Sequence, residues 1–367
     1  MENNKIEKKD NRFCVIMAGG IGSRFWPISR QKYPKQFIDV LGVGRSLLQL
    51  TYDRMSKLFK QENIYIVGSE IYREQILSQL NGINERNVLL EPQRKNTAPC
   101  VAFACSIIKQ VCKDATLVVV PSDHVIQNED RFGEIIYEAT AAAEQEEVLI
   151  TLGIKPDYPN TGYGYLQFLE HDSLRQHPNV KKVKLFAEKP NEEMAKQFLE
   201  SGDFLWNAGI FIWTLTSVEK ALEKYCHDVF LPFKDVVIDP QNEESINNIY
   251  SSCPSISIDY AIMERATNVY TIVSDFGWSD VGTWKALYDV LDKDEKQNAV
   301  INKNVLAYDS QNCIINVPND KVVVLEGLND YIVVESDNVL LVCRKGNEQR
   351  IKEFVVDVNI EKGSQYI

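Results

Sequence analysis

The sequence predicts an α/β protein: a mostly parallel (mixed) sheet with helices on both faces, followed by a small C-terminal all-β unit. Three observations carry this. Apolar runs of strand length alternate with amphipathic helical stretches over the first part of the chain. Several of those runs, TLVVV at 116–120 above all, are apolar throughout, as strands covered on both faces are. From about residue 298 the texture changes to short β-branched runs separated by SQN, PND, GLND and SDN, which are turn chemistries. The expected boundaries are a polar tip over 1–12, a large α/β domain over 13–295 and a β unit over 296–367.

Taken in order, FCVIMA at 13–18 reads as a buried strand that breaks into Gly19, Gly20 and Gly22. Ser46 is placed to cap a helix whose Leu48, Tyr52, Met55 and Phe59 fall at three- and four-residue spacing. A strand over 64–67, a helix over 71–80 and a strand over 87–90 follow, then the loop EPQRKNTAP. Asn96 or Thr97 suits the cap of the next helix, with Pro99 in its first turn. TLVVV then ends in PSDH. This rhythm implies βαβ crossovers and a Rossmann-like sheet, in which loops leaving the carboxyl ends of strands lie along one edge. GGIGSR, EPQRKNTAP and PSDH are all such loops and are expected to converge. In the second half VLITLGI, GYGYLQF, VKLFAEKP and WNAGIFIW read as strands or turns of an antiparallel subregion, and NEEMAKQFLES reads as a surface helix capped by Asn191.

Composition narrows the function classes. A formal net charge of −12 repels polyanions over most of the surface, which argues against nucleic-acid and membrane partners and confines any nucleotide site to a local basic pocket. The apolar run after the polar tip is too short for a signal peptide or a membrane span, so cytoplasm is the default. Eight cysteines without a CxxC, and only four histidines, predict neither a zinc site nor a disulfide framework.

The glycine loop has the outline of a phosphate site. Glycines let backbone N–H groups face an anion, and Arg24 and Lys35 supply charge against phosphate oxygens. It is not a P-loop, because no GK pair follows at the required spacing. Nor is it a dinucleotide fingerprint: Phe25 stands where the third glycine belongs, and Pro27 and Pro34 interrupt the helix that should follow. What remains, GGxGxR with a later PK, resembles the signature of the sugar-nucleotide pyrophosphorylases. The longer stretch GSRFWPISRQKYPKQF resembles the mannose-1-phosphate guanylyltransferase branch, with Ser23 and Phe25 where Thr and Leu are common. EPQRKNTAP, PSDH, FAEKP, WNAGIFIW, SIDYAIMER and GWSDVGTW extend the resemblance over about residues 13 to 290.

The resemblance implies transfer of GMP from GTP to α-D-mannose 1-phosphate, giving GDP-mannose and pyrophosphate with Mg2+. Such chemistry rests on positioning and electrostatics more than on acid and base groups. It implies that Gly19, Gly20, Gly22, Ser23, Arg24 and Lys35 hold phosphates and that Asp123 and Asp280 hold the metal. Ser122 and Asp123 would also contact the nucleotide. A helix cap is the structural alternative for either aspartate. Glu91 would accept from the N1 and N2 hydrogens of guanine, with Asn96 and Thr97 either on the nucleotide or capping the next helix. Gly164, Glu188, Lys189, Asn207 and Asp259 would hold the sugar phosphate. The resemblance also implies a homodimer through a β-helix-like C-terminal domain; a sheet that only covers the main core is the alternative. Some members carry a following cupin-like isomerase domain, and the end at Ile367 predicts no isomerase activity. The same reaction on a manno-heptose 1-phosphate or another nucleotide, and a non-catalytic GDP-mannose-binding regulatory subunit, remain as rival readings.

Overall fold

The computed structural model describes residues 8–20, 22–301 and 303–367. Most of the polar tip therefore lies outside the described residues. The chain packs as two compact units. One contains the described part of Met1–Gly19 with Tyr52–Ser122 and Ile126–Trp278; the other contains Gly20–Thr51, Asp123–Val125 and Ser279–Ile367.

The strands in chain order are β1 (Arg12–Ala18), β2 (Ile64–Ser69), β3 (Val88–Glu91), β4 (Thr116–Pro121), the two-residue β5 (Val125–Ile126), β6 (Leu149–Ile154), β7 (Tyr165–Ser173), β8 (Val180–Ala187), β9 (Phe204–Thr214), β10 (Val269–Ser274) and the two-residue β11 (Trp278–Ser279). The first unit is built on a nine-stranded sheet in the order β3-β2-β1-β4-β9-β6-β10-β8-β7. Its first four strands run parallel, as the alternating pattern predicts. β9 is antiparallel to both β4 and β6, and β7 pairs antiparallel with β8 and β9, so the second half forms the antiparallel region expected of it. Because β1, β3 and β4 are co-directional, Gly19, Pro92 and Ser122 leave the same edge of the sheet. The Ser122 N–H donates to the Met17 carbonyl at 3.0 Å, which keeps that edge closed.

Helices α1 (Leu47–Leu58), α2 (Arg73–Gln79), α3 (Thr97–Val111) and α4 (Glu129–Gln145) fall between the parallel strands and after them. Ser46 and Gln49 form a reciprocal capping box at the start of α1, the arrangement its sequence signals. α3 is apolar nearly all round and accordingly buried from Ala98 through Ile108. α5 (Glu192–Ser201) starts where Asn191 accepts from the Met194 N–H at 2.9 Å. Helices α6 (Leu215–Tyr225), α7 (His227–Phe233) and α8 (Glu243–Ser252) follow β9, and Phe103, Phe233 and Tyr250 meet edge-on or stacked in the main core.

In the second unit α9 (Trp284–Val290) precedes β12 (Ala299–Val300), β13 (Val305–Tyr308), β14 (Ile314–Asn316), β15 (Val323–Glu326), β16 (Tyr331–Ser336) and β17 (Val339–Arg344). β12-β14-β16 is a parallel ladder closed by antiparallel β17, and β13 lies parallel to β15. Val305 pairs with Val323 and Ile314 with Ile332, an advance of 18 residues, while Ala299 pairs with Ile314, an advance of 15, so successive turns stack as coils of a β-helix do. Two features depart from the sequence reading. The unit is not all-β: Ile351–Lys362 is helix α10, whose Ile351, Phe354, Val355 and Val358 share one face and join the apolar cluster. The chain from Gly20 to Thr51 also belongs here, since Phe25, Trp26, Val40 and Leu47 are buried in one cluster with Trp284, Ile314, Ile332 and Ile351.

Candidate active site

Within the second unit Asp123 and the backbone of the Asp280 turn gather around Lys35. Gly22 has φ +65°, and a Cβ there would lie 2.5 Å from the Lys35 Cβ, so only glycine permits the close approach of the two segments. Gln36 Nε2 donates to the Gly20 carbonyl at 2.9 Å and pins the loop from the other side. The Lys35 side chain is buried, and its ammonium finds three oxygens: Asp123 Oδ2 at 2.7 Å, the Asp280 carbonyl at 2.8 Å and the Val281 carbonyl at 3.1 Å. An ammonium has three N–H donors, so Lys35 is fully engaged by the protein. Its direct donation to a phosphate, the role implied for it by resemblance, would require one of these bonds to break.

Asp123 does not cap a helix; α4 begins later, capped by Asn128. Burial pushes the Asp123 carboxyl up, but the Lys35 charge, His124 and hydrogen bonds from Lys35 and its own backbone more than offset this and hold it below the ordinary range. Asp280 does not cap a helix either: Thr283 does, accepting from the Ala286 N–H at 3.1 Å. Asp280 Oδ1 instead accepts from the Gly282 N–H at 2.9 Å. Between them Val281 has φ +42°, a strained conformation for a β-branched residue that Lys35 holds through the Val281 carbonyl. Two carboxylates offer hard oxygen ligands of the kind Mg2+ takes, one or two from protein with phosphate oxygens completing the shell. Among the described residues no group of three or more His, Cys, Asp or Glu side chains gathers at one point. Arg24 stands in the short turn Ser23–Phe25, its Nε buried without a hydrogen-bond partner among the described residues. The side chain of Ser23 lies outside the described atoms.

The first unit holds two further groups of predicted residues. At the end of β3, Glu91 is buried and accepts from the Tyr250 hydroxyl at 3.0 Å. Burial pushes its carboxyl up to about 7, against the hydrogen bond from Tyr250 and the Arg94 charge, which pull it down. Gly19 lies against it: a Cβ there would be 3.9 Å from Glu91 Oε2. Asn96, with φ +70°, turns its amide oxygen to the Thr97 N–H at 2.9 Å, and Thr97 Oγ1 accepts from the Ile258 N–H at 2.8 Å. Both side chains thus serve the start of α3.

The second group gathers Gly164, Glu188, Lys189, Asn207 and Asp259. The Asn207 N–H donates to the Gly164 carbonyl at 2.8 Å, and a Cβ at Gly164 would meet Glu188 Oε2 at 2.5 Å, so glycine makes room for the carboxylate. Lys189, at φ +49°, pairs its ammonium with Glu188. Asn207 Nδ2 donates to Asp259 Oδ1 at 3.0 Å while its oxygen accepts from Thr151 Oγ1 at 2.7 Å, which fixes the orientation of the amide. Burial and the neighbouring Glu188 charge raise the Asp259 carboxyl to about 7. The result is a crowd of hydrogen-bond acceptors beside one exposed cation, suited to a polyhydroxylated anion.

The sequence reading missed Tyr250, Thr151 and an edge-to-face aromatic chain in which Tyr163 lies 5.1 Å from Trp206 and 5.3 Å from Trp278. Tyr163 and Trp206 flank motif residues in GYGY and LWNAG, which is the signal available for them. Tyr250 and Thr151 carry none.

A Rossmann-like sheet with a glycine loop and a Lys35–Asp123 ion pair is consistent with a nucleotide-dependent transferase. The comparisons agree: the nucleotidyl transferase profile matches residues 13–297, a MannoseP isomerase/GMP-like beta-helix domain profile matches residues 303–357, and the chain belongs to the nucleotidyl transferase family. Mannose-1-phosphate guanylyltransferase 2 of Escherichia coli O157:H7 is 35% identical over 365 residues, covering 96% of this chain and 75% of the relative. The alginate biosynthesis protein AlgA of Pseudomonas aeruginosa is 34% identical over 358 residues, covering 96% and 73%. The crystal structure of mannose-1-phosphate geranyltransferase from Thermus thermophilus aligns with TM-score 0.85 at 26% identity, over 95% of this chain and 99% of that one.

Proposed function

We propose that the chain transfers GMP from GTP to α-D-mannose 1-phosphate, forming GDP-mannose and pyrophosphate. The observation that carries this is the Lys35 node, which ties the glycine loop, Asp123 and the Asp280 turn into one basic and acidic cluster, taken together with curated guanylyltransferase relatives over nearly the whole chain. An oxygen of the sugar phosphate attacks the α-phosphorus, and the bond to the β-bridging oxygen breaks in line as pyrophosphate leaves with the electron pair. Asp123 and Asp280 would hold Mg2+, which supplies positive charge against phosphate oxygens. Arg24 receives the departing phosphates. Lys35 acts mainly by holding Asp123 and the Asp280 turn in place. Glu91 accepts from guanine, and Glu188, Asn207 and Asp259 accept from sugar hydroxyls while Lys189 turns from Glu188 to the sugar phosphate.

Direct displacement predicts a single inversion at the α-phosphorus of a chirally labelled GTP, and retention would require a covalent intermediate. Asp280→Asn and Arg24→Ala are each expected to lower turnover by about two orders of magnitude in saturating magnesium. Wild-type turnover in either variant would remove that residue from the mechanism. The chain is further proposed to act in the cytoplasm as a homodimer. All eight cysteines are unpaired, no described helix is long and apolar enough to cross a membrane, and Leu306, Val324, Leu340 and Val342 leave apolar side chains exposed on the C-terminal strands.

A further inference from the structure

The residues assigned to phosphoryl transfer come from the stretch the nucleotidyl transferase profile covers, but one charged group acting on them does not. Glu348 lies in the short helical segment Lys345–Arg350 between β17 and α10, inside the β-helix-domain match. Its Oε2 accepts from the Lys285 N–H at 2.9 Å, and it also receives a hydrogen bond from the Thr283 side chain. Thr283 closes the turn that carries Asp280 and caps α9. Burial raises the Glu348 carboxyl overall, against a smaller downward pull from those hydrogen bonds and from the charges of Lys285 and Arg24.

The three segments share one apolar floor. The Phe25 ring lies 4.9 Å from that of Trp284, and Phe25, Val281, Trp284 and Ile351 are buried in the same cluster. Arg24 and Asp280 each precede a member of that floor in sequence, and Glu348 reaches it through the N–H of Lys285, which follows Trp284. Arg24 Nε is buried with no hydrogen-bond partner among the described residues, so its charge is not locally satisfied at that atom.

We propose that Glu348 is a positioning residue for phosphoryl transfer, a carboxylate of the C-terminal unit that braces the Asp280 turn and tempers the charge Arg24 presents to pyrophosphate. The proposal rests on the roles given above to Arg24 and Asp280. Its logic is release: a site that stabilises a leaving polyanion must also let it go, and a fixed counter-charge lowers the affinity for the product.

Binding of magnesium pyrophosphate, measured by calorimetry, separates the possibilities. Glu348→Gln keeps an oxygen for the Lys285 N–H and removes the charge; it is expected to tighten pyrophosphate roughly three- to fivefold with little change in Tm. The same substitution in an Arg24→Ala background should leave pyrophosphate affinity unchanged. Glu348→Asp keeps the charge and shortens the reach, and should lower Tm while leaving affinity near wild type. Unchanged affinity in Glu348→Gln, equal tightening without Arg24, or tightening in Glu348→Asp would each overturn the proposal. A wild-type protein that binds no pyrophosphate would instead remove the transferase reading beneath it.

Discussion

Two carboxylates of the first unit, Glu91 and Asp259, are driven to about 7 chiefly by burial, and this gives the site its expected pH behaviour. Guanine offers donors at N1 and N2, so in the proposed role Glu91 accepts from them in its ionised form. The KM for GTP is therefore expected to fall as pH rises from about 6 to about 8, and this slope should vanish in Glu91→Gln. That variant leaves a guanine donor facing an amide N–H and is expected to lose about 100-fold in kcat/KM for GTP. Steady-state kinetics across pH checks both statements. The linkage to stability has a definite sign. A carboxyl whose folded value is raised favours the folded state fully below its unfolded value, and that advantage is lost as pH rises through about 7. The Tm of Asp259→Asn should accordingly vary less than wild type between about pH 4 and about pH 7. The letters of these residues were legible in the sequence, but their partners were not. Two of the three oxygens that hold Lys35 are backbone carbonyls some 245 residues away, and carbonyls have no letter.

At the scale of elements, β1 and α4 are joined by a charge pair whose arginine is buried and whose glutamate is half-buried. Arg12 donates through Nε to Glu144 Oε1 at 2.6 Å and through Nη2 to Oε2 at 3.0 Å, and Lys9 adds a third bond at 2.8 Å. Removing the acid strands the Arg12 guanidinium, which is buried on β1. Glu144→Ala is expected to cost about 3 kcal/mol, read from the midpoint shift in urea unfolding. Capping chemistry was readable in advance at Ser46 and Asn191, where a short polar side chain precedes an amphipathic run. It was ambiguous at Asp280 and Thr283, which stand close together with equally good capping side chains, and the backbone chose Thr283. α10 escaped because FVVDV carries β-branched residues that also suit a strand; its helical spacing gains meaning only from the cluster that Ile351 enters. β7 to β9 were legible as strands, but not that β9 would lie between β4 and β6, since pairing order is set by packing rather than by local pattern.

For the whole molecule, the alternation of elements was enough to foresee the parallel half of the sheet, and the spacing of turn residues enough to foresee a β unit. The 15- and 18-residue advances of its parallel ladders were not, because turns of similar chemistry separate strands that do not pair. Nor did composition indicate that Gly20–Thr51 would pack with the C-terminal strands: the apolar residues responsible, Phe25, Trp26 and Val40, sit in a loop with no periodicity. The consequence is functional, since the loop bearing Arg24 and Lys35 shares its core with α9, β14, β16 and α10 rather than with β1, and substitutions in that core should alter turnover as well as stability. Ile332→Ala is expected to destabilise by about 3 kcal/mol and to lower turnover at a temperature where the protein remains folded. The identity of the two substrates is decided by pyrophosphate release with Mg2+ for GTP, ATP, UTP and CTP, each against mannose 1-phosphate, glucose 1-phosphate and a manno-heptose 1-phosphate. The highest kcat/KM is expected for GTP with mannose 1-phosphate, with GDP-mannose as the co-product. Equal or faster release with another nucleotide or sugar phosphate, or none with any pair, would rule the proposed substrates out.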